Sequence, residues 1–234
     1  MNIFVCVKQV IDPESPPASF KIDTTGTKAE MHGVPPVIDP YGEYAVEAAL
    51  RLKEAKGGKI TVLSLGVNLL REVVKKPLAM GADELVLLED PAFSGGDSYA
   101  TAALLAAAVK KKGEFDLILC GREASDTNAG QTGPAIAEIL SLPCVTLARK
   151  IEAVDSKLRV EHVNSVGYDV IETSLPAVVT VSNKIGQPRY PTIKGIMAAK
   201  KIEPVVWKAV DLGNTVAGRT KVVKLFQPVH EGKC

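Results

Sequence analysis

Between residues 2 and 148, five short apolar runs alternate with four stretches of helical period, and that alternation limits the chain to very few folds. The runs are 2–7, 59–66, 84–89, 115–120 and 143–148, each rich in Val, Ile and Leu. They are too continuous for strands with one wet face, so they read as strands buried on both sides. Asp39-Pro40-Tyr41-Gly42 opens the first helix, Ala45, Ala48, Ala49 and Leu52 recur along one face, and Gly57-Gly58 stops it. Leu69, Leu70, Val73 and Val74 mark the second, with Asn68 placed to cap it and Pro77 set to kink or shorten it. The third runs from about Tyr99 to Lys112 behind Asp97 or Ser98 as cap, and the fourth covers 134–140. The order β-α-β-α-β-α-β-α-β predicts an α/β fold: a doubly wound, mainly parallel sheet with helices on both faces.

The pattern then changes. Lys157 to Val163 and Tyr168 to Thr173 alternate with period two, which predicts an antiparallel hairpin. Pro176 to Val181 reads as another buried strand, 184–195 as loop and Ile196 to Lys201 as a short helix at most. No amphipathic period holds from Glu203 onward. Residues 1–202 therefore form the expected domain, and 203–234 an extended arm that packs on something else, such as a partner chain. Residues 13–36 are rich in Pro and Gly, with a short hairpin expected near 21–27. An excursion that long in a compact domain is usually functional.

Composition excludes several functions. Aromatics are 5% of the residues, too few for a base-stacking surface. Twenty-eight Lys and Arg against 27 Asp and Glu leave no field to hold nucleic acid or an acidic membrane. Cys6, Cys120, Cys144 and Cys234 have no metal-type spacing; the first three sit in or beside apolar runs and read as buried thiols. His32, His162 and His230 are scattered and read as surface residues. No basic leader precedes the first strand and no apolar run nears the ~20 residues of a spanning helix, so a soluble, cytoplasmic protein is expected.

In an open sheet, ligands sit at the carboxyl ends of strands where the strand order reverses. Four loops leave such ends, after residues 7, 65, 89 and 120, and all carry small or polar residues. Gly121 to Gly133 follows a strand and opens a helix, so its N–H groups and the helix dipole can converge on a phosphate. An ordinary β–α connection would use the same residues, and composition leaves both open. Ser94-Gly-Gly-Asp-Ser98 resembles the pyrophosphate loop of ATP pyrophosphatases, but it is one residue short and follows the third strand. A nucleotide hydrolase is the competing class. No Ser/His/Asp order, no P-loop lysine motif and no strict G-x-G-x-x-G is present, which favours a protein whose cofactor carries the chemistry.

Four segments resemble the beta (small) subunit of electron-transfer flavoproteins: Val5 to Asp12, Asp39 to Lys53, Leu78-Ala-Met-Gly-Ala-Asp83 and Pro188 to Lys201. The resemblance spans about residues 1–207 and implies a Rossmann-like, adenine-nucleotide-binding domain in a heterodimer with an FAD-carrying alpha subunit. It implies a nucleotide held by Cys6, Asp39, Pro40, Tyr41, Gly42 and Leu65. The loop adds Glu123, Ala124, Ser125, Asp126, Thr127, Asn128, Ala129, Gly130, Gln131, Thr132, Gly133 and Pro134. In one branch of the family the nucleotide is structural AMP. In the other it is a second FAD that takes a hydride from NADH and splits the electron pair. Gly95-Gly-Asp97-Ser-Tyr-Ala-Thr101 resembles the bifurcating branch, which adds Asp97 and Thr101, and the small residues at 95, 96, 98, 100 and 101 leave room for a wide ring system. The loop from Ile185 to Met197 resembles the one that docks acyl-CoA-type or other flavin dehydrogenases, with Ile193 and Met197 as contacts. Pro13, Asp39 and Pro77 depart from the family's usual residues. No side chain is assigned as catalytic and no metal is expected.

Overall fold

The computed structural model describes residues 1–16, 19–31, 33–213 and 216–227. His32, His230 and Cys234, together with the arm's 214–215 and 228–234, lie outside the described residues. The strands are β1 (Asn2–Val7), β2 (Gln9–Val10), β3 (Phe20–Ile22), β4 (Ala29–Met31), β5 (Val37–Ile38), β6 (Lys59–Gly66), β7 (Glu84–Glu89), β8 (Leu117–Gly121), β9 (Cys144–Val154), β10 (Lys157–Asn164), β11 (Gly167–Ser174), β12 (Ala177–Val181) and β13 (Val205–Trp207). The helices are α1 (Pro40–Lys56), α2 (Arg71–Val74), α3 (Lys76–Met80), α4 (Ser98–Lys112), α5 (Thr132–Leu140) and α6 (Ile193–Lys201).

Nine strands form one sheet in the order β11-β10-β9-β12-β8-β1-β6-β7-β13. From β9 to β13 every pairing is parallel, and β10 and β11 add an antiparallel hairpin at one edge. The chain runs outward from β1 through β6 to β7, then returns to place β8 on the other side of β1. The strand order therefore reverses between β1 and β8. Alternate residues of the central strands feed two cores. Val5, Val62, Leu87, Leu119 and Val179 pack with α1, α3 and α6. Phe4, Leu63, Val86, Ile118 and Val178 pack with α4 and α5 on the opposite face. Burying such a side chain contributes about 1.5–3 kcal/mol, which is why the strands read as unbroken apolar runs.

Helix ends follow local chemistry. The Asp39 carboxylate accepts from Tyr41 N, with Pro40 as the first helical residue. Asp97 caps α4 through Ala100 N. Pro77 divides the expected second helix into α2 and α3. Five expectations are corrected. Asn68 does not cap: it takes a left-handed turn with φ 58°, and α2 starts after Leu70. The fifth strand runs on to Val154, because the hairpin pairs with its outer half. Cys144 is exposed, since it stands at the mouth of β9 rather than in its buried middle. The helix expected from Ile196 already begins at Ile193, capped by Thr192 through Gly195 N. Gly195 is not a turn signal there: a Cβ on it would fall 2.3 Å from the Ala79 carbonyl, so it lets α6 press on α3. His162 is half-buried, its Nδ1 2.6 Å from the Thr146 carbonyl. The segment from Glu203 begins with β13, which pairs with β7.

Candidate functional site

A cleft of about 790 Å³ opens at the carboxyl ends of the strands, at the point where the order reverses. Its floor is formed by Cys6 and Val7 of β1, Leu65 of β6 and Cys120 and Gly121 of β8. The starts of three helices face it: Asp39 and Gly42 at α1, Gly95, Gly96, Asp97, Ser98 and Thr101 at α4, and Gln131 and Thr132 at α5.

The 121–133 loop is fixed by contacts made far away in sequence. Arg122 N donates to the Val181 carbonyl at 2.9 Å, tying the loop's root to β12. Ser125 donates through both its N and Oγ to Asp39 Oδ2, each at 2.6 Å. Lys8 Nζ reaches Asp126 at 2.6 Å. Asn128 and Gly130 take left-handed conformations at φ 48° and 63°, which Asn and Gly adopt at least cost. Two glycines permit close approach. A Cβ on Gly121 would fall 2.6 Å from that of Tyr41, and one on Gly133 would fall 2.5 Å from Thr180 Cγ2. Both would push helix starts away from the strand ends. Gln131, the residue before α5, makes no side-chain bond to the helix's first amides. Those amides and the positive end of the dipole are thus available to an anion.

The expected residues divide. Cys6, Asp39, Gly42, Leu65, Asp97, Thr101, Glu123, Ala124, Thr127, Ala129, Gly130, Gln131 and Thr132 line the cleft. Pro40, Tyr41, Ser125, Asp126, Asn128, Gly133 and Pro134 do not; Asp126 and Ser125 instead brace the loop from behind. Ile193 and Met197 lie elsewhere, exposed on α6 at 80% and 62%. Asp97 is heavily engaged. Besides capping α4 it accepts from Arg219 N at 2.7 Å and Thr220 N at 3.0 Å. The Ala100 amide is the largest influence and holds its carboxyl below the ordinary range; desolvation comes next and opposes it, and the Arg219 and Thr220 amides add to the lowering. At the floor, the facing Cys6 thiol and complete burial push the Cys120 thiol well up, so it stays protonated.

Residues missed from the sequence include Lys8, Thr27, Lys28, Leu105, Arg122, Thr220, Lys221 and Val222. Lys8 and Arg122 immediately follow strand ends and were within reach of the switch-point rule. Thr27 and Lys28 lie in the long 13–36 excursion whose length signalled a function but not a place, and 220–222 carried no cleft signal, because only the fold brings these segments to the cleft.

A family model described as "Electron transfer flavoprotein domain" matches residues 27–212. The chain is 43% identical over 213 residues to an electron transfer flavoprotein subunit beta of Thermoanaerobacterium thermosaccharolyticum, covering 91% of this chain and 80% of the relative. This chain belongs to the electron transfer flavoprotein beta-subunit family. A second beta subunit, from Megasphaera elsdenii, is 41% identical, with 97% of this chain and 88% of that one covered. The caffeyl-CoA reductase-Etf complex subunit CarD of Acetobacterium woodii is 39% identical, with coverage of 99% and 90%. The segments that suggested the family lie at three places in this beta subunit: the first strand and α1 at the cleft, the Leu78–Asp83 turn under β7, and the Pro188–Lys201 segment leading into α6. Among the described residues no helix is long and apolar enough to cross a membrane.

Proposed function

We propose that this beta subunit, paired with an FAD-carrying alpha subunit, holds a second FAD in the cleft and serves flavin-based electron bifurcation from NADH. The observation that carries the proposal is the reach of the cleft: it runs from the α5 amides to the glycine-rich start of α4. Ligand pockets span about 300–1,000 Å³, so its volume suits a dinucleotide, and a mononucleotide would leave a large part unfilled. When bound, FAD would take a hydride and pass its two electrons on singly. The chain's own residues do the binding. The backbone of Thr127 and of Ala129 to Thr132 and the α5 amides would hold the phosphates, Asp39 and Lys8 hold that loop in place through Ser125 and Asp126, and Gly95, Gly96, Ser98 and Thr101 leave width at the far end. Cys120, protonated and buried, supplies a neutral floor. The relative named for a caffeyl-CoA reductase complex supports a CoA-ester dehydrogenase as partner. Ile193 and Met197 on α6 offer that partner an apolar contact.

One observation favours a second reading, structural AMP. Thr220, Lys221 and Val222 stand against the α4 end of the cleft and narrow the space beyond the phosphate loop. Nothing favours a nucleotide hydrolase, since Asp97 is spent on the α4 cap and on the backbone at 219–220. The deciding experiment denatures the purified heterodimer and quantifies its released nucleotides. Two FAD per heterodimer are expected, with bleaching by NADH. One FAD and one AMP would replace the bifurcating assignment with the structural one.

A further inference from the structure

Two segments remote from the strand ends themselves complete the cleft, one far out in the long connection after β1 and one beyond the last strand. The β3–β4 hairpin contributes Thr27 and Lys28, and the chain at 220–222 contributes Thr220, Lys221 and Val222. They are joined to each other and to the start of α4. Leu225 N donates to the Gly26 carbonyl at 2.7 Å. Asp97 Oδ2 accepts from Arg219 N, from Thr220 N and, at 3.3 Å, from Thr220 Oγ1. The Arg219 guanidinium stacks 3.9 Å from the centre of the Tyr99 ring. Gly218 makes the approach possible: a Cβ there would come within 3.2 Å of Asp97 N and 3.3 Å of the Gly95 carbonyl. Contacts of five kinds thus converge on one short piece of chain that follows the sheet's last strand.

We propose that the 218–225 segment and the 23–28 hairpin tip form a clasp that retains the bound adenine nucleotide, with Lys28 and Lys221 as its cationic contacts and Asp97 as its anchor. The clasp rests on the reading that the cleft holds an adenine nucleotide, and it serves FAD and AMP alike. Its physical basis is charge and exit. The floor and the 121–132 loop present the phosphates with backbone dipoles, and the only full positive charges that line the cleft, among the described residues, are Lys8, Lys28, Arg122 and Lys221. Lys8 is paired with Asp126 and Arg122 with Glu123. The two clasp lysines therefore answer a polyanion that the floor alone does not neutralise. A nucleotide leaving past the α4 end must first part the Asp97 and Gly26 contacts, so the clasp acts on the dissociation rate more than on the association rate.

The test uses the full alpha–beta complex and follows first-order loss of bound nucleotide on dialysis, with chromatographic identification. Three variants are compared with the parent: Gly218→Val, which wedges the segment away from Asp97; Lys28→Ala with Lys221→Ala; and a chain ended after Gly213. Release is expected to be about tenfold faster in the first and third, equivalent to ~1.4 kcal/mol, and several-fold faster and less dependent on salt than the parent in the second. A release rate within twofold of the parent in Gly218→Val or in the lysine pair would overturn the clasp. The parent's own chromatogram separates this from the cofactor reading. AMP there removes the second FAD and leaves the clasp standing, whereas no adenine nucleotide at all removes the site itself.

Discussion

The Asp39 carboxylate and the Ser125 backbone, 86 residues apart, meet at 2.6 Å, so one buried acid caps a helix and tethers the phosphate-binding loop. Asp39 is 2% exposed, and its two oxygens serve two different elements. A residue placed by an ordinary capping rule thus carries a second duty that couples α1 to the cleft.

Asp39→Ala should act on both. Loss of a helix cap costs about 1 kcal/mol, and leaving Ser125 N without an acceptor adds ~1–3 kcal/mol. Denaturant unfolding should show a loss of roughly 2–4 kcal/mol, accompanied by reduced nucleotide content in the purified complex. Asp39→Asn keeps the cap through its one oxygen and turns an NH2 donor toward Ser125, whose hydroxyl can accept from it while its N–H loses its acceptor, so the loss should be smaller than for alanine. Equal stability of the alanine variant and the parent would refute the tether.

Thr132 and Asp126 should separate, although both stand in the same loop. Thr132 lines the cleft at the start of α5, and its alanine variant should hold nucleotide roughly fivefold more weakly, in keeping with ~1 kcal/mol for a hydrogen bond. Asp126 faces Lys8 at the surface, where such pairs contribute about 0–1 kcal/mol. Asp126→Ala should therefore leave stability nearly unchanged. Titration of the emptied complex with the released nucleotide checks the first, and denaturant unfolding checks the second. An unchanged affinity in Thr132→Ala would show that the phosphates lie elsewhere.

Glu84 gives a pH signature far from the cleft. Desolvation opposes its charge, but Lys59 at 2.6 Å and Lys112 at 2.9 Å outweigh it and hold the carboxyl down at about 2. A carboxyl depressed on folding stabilises above its unfolded value and loses that contribution as pH falls through the folded one. The stability gap between parent and Glu84→Gln should be present at neutral pH and close between about pH 4.5 and 2. Lys59 is half exposed, so screening should keep the gap near ~1 kcal/mol and make it shrink in salt. A gap that widens on acidification would contradict the pairing.

Arg189 fastens the segment that leads to α6. Its guanidinium bonds Glu47 at 2.8 Å and also Glu54, while its backbone N donates to Glu47 at 3.1 Å. Glu47 is 4% exposed and further held by Arg51 at 2.8 Å. Arg189→Ala leaves a buried carboxylate short of partners, and a loss of about 3 kcal/mol is expected. The Glu47→Ala, Arg189→Ala cycle should show ~1–3 kcal/mol of coupling. Arg189→Lys should recover only part, because an ammonium cannot serve two carboxylates in one plane. Limited proteolysis should locate the loosening at 186–192. Additive losses would refute the network.

Much of the site was legible because strand ends and turns are local. The loop residues Thr127 to Thr132, apart from Asn128, fall where the alternation of elements and the switch-point rule put them, while the floor residues Cys6 and Leu65 were named only by the family resemblance. The facing of individual loop residues was not legible. Ser125, Asp126 and Asn128 share the composition of their neighbours, and the Asp39 and Lys8 contacts decide that two of them brace rather than line. The loop expected over 184–195 ran too far for the complementary reason: a glycine admitting Ala79, as Gly195 does, looks the same in sequence as one in a loop.

From the chain's residues alone came the element order, the parallel core buried on two faces, the helix opening at Asp39 and a cap at Asp97 or Ser98, all of which rest on period and spacing within about a dozen residues; the family came from the resemblance of four separate segments. The fold alone decided that β13 completes the sheet, that Asp97 meets Arg219 across 122 positions, and that Lys28 and Lys221 reach one cleft. Such meetings depend on where long connections close, and loop closure varies so weakly with length that no local pattern records its partners.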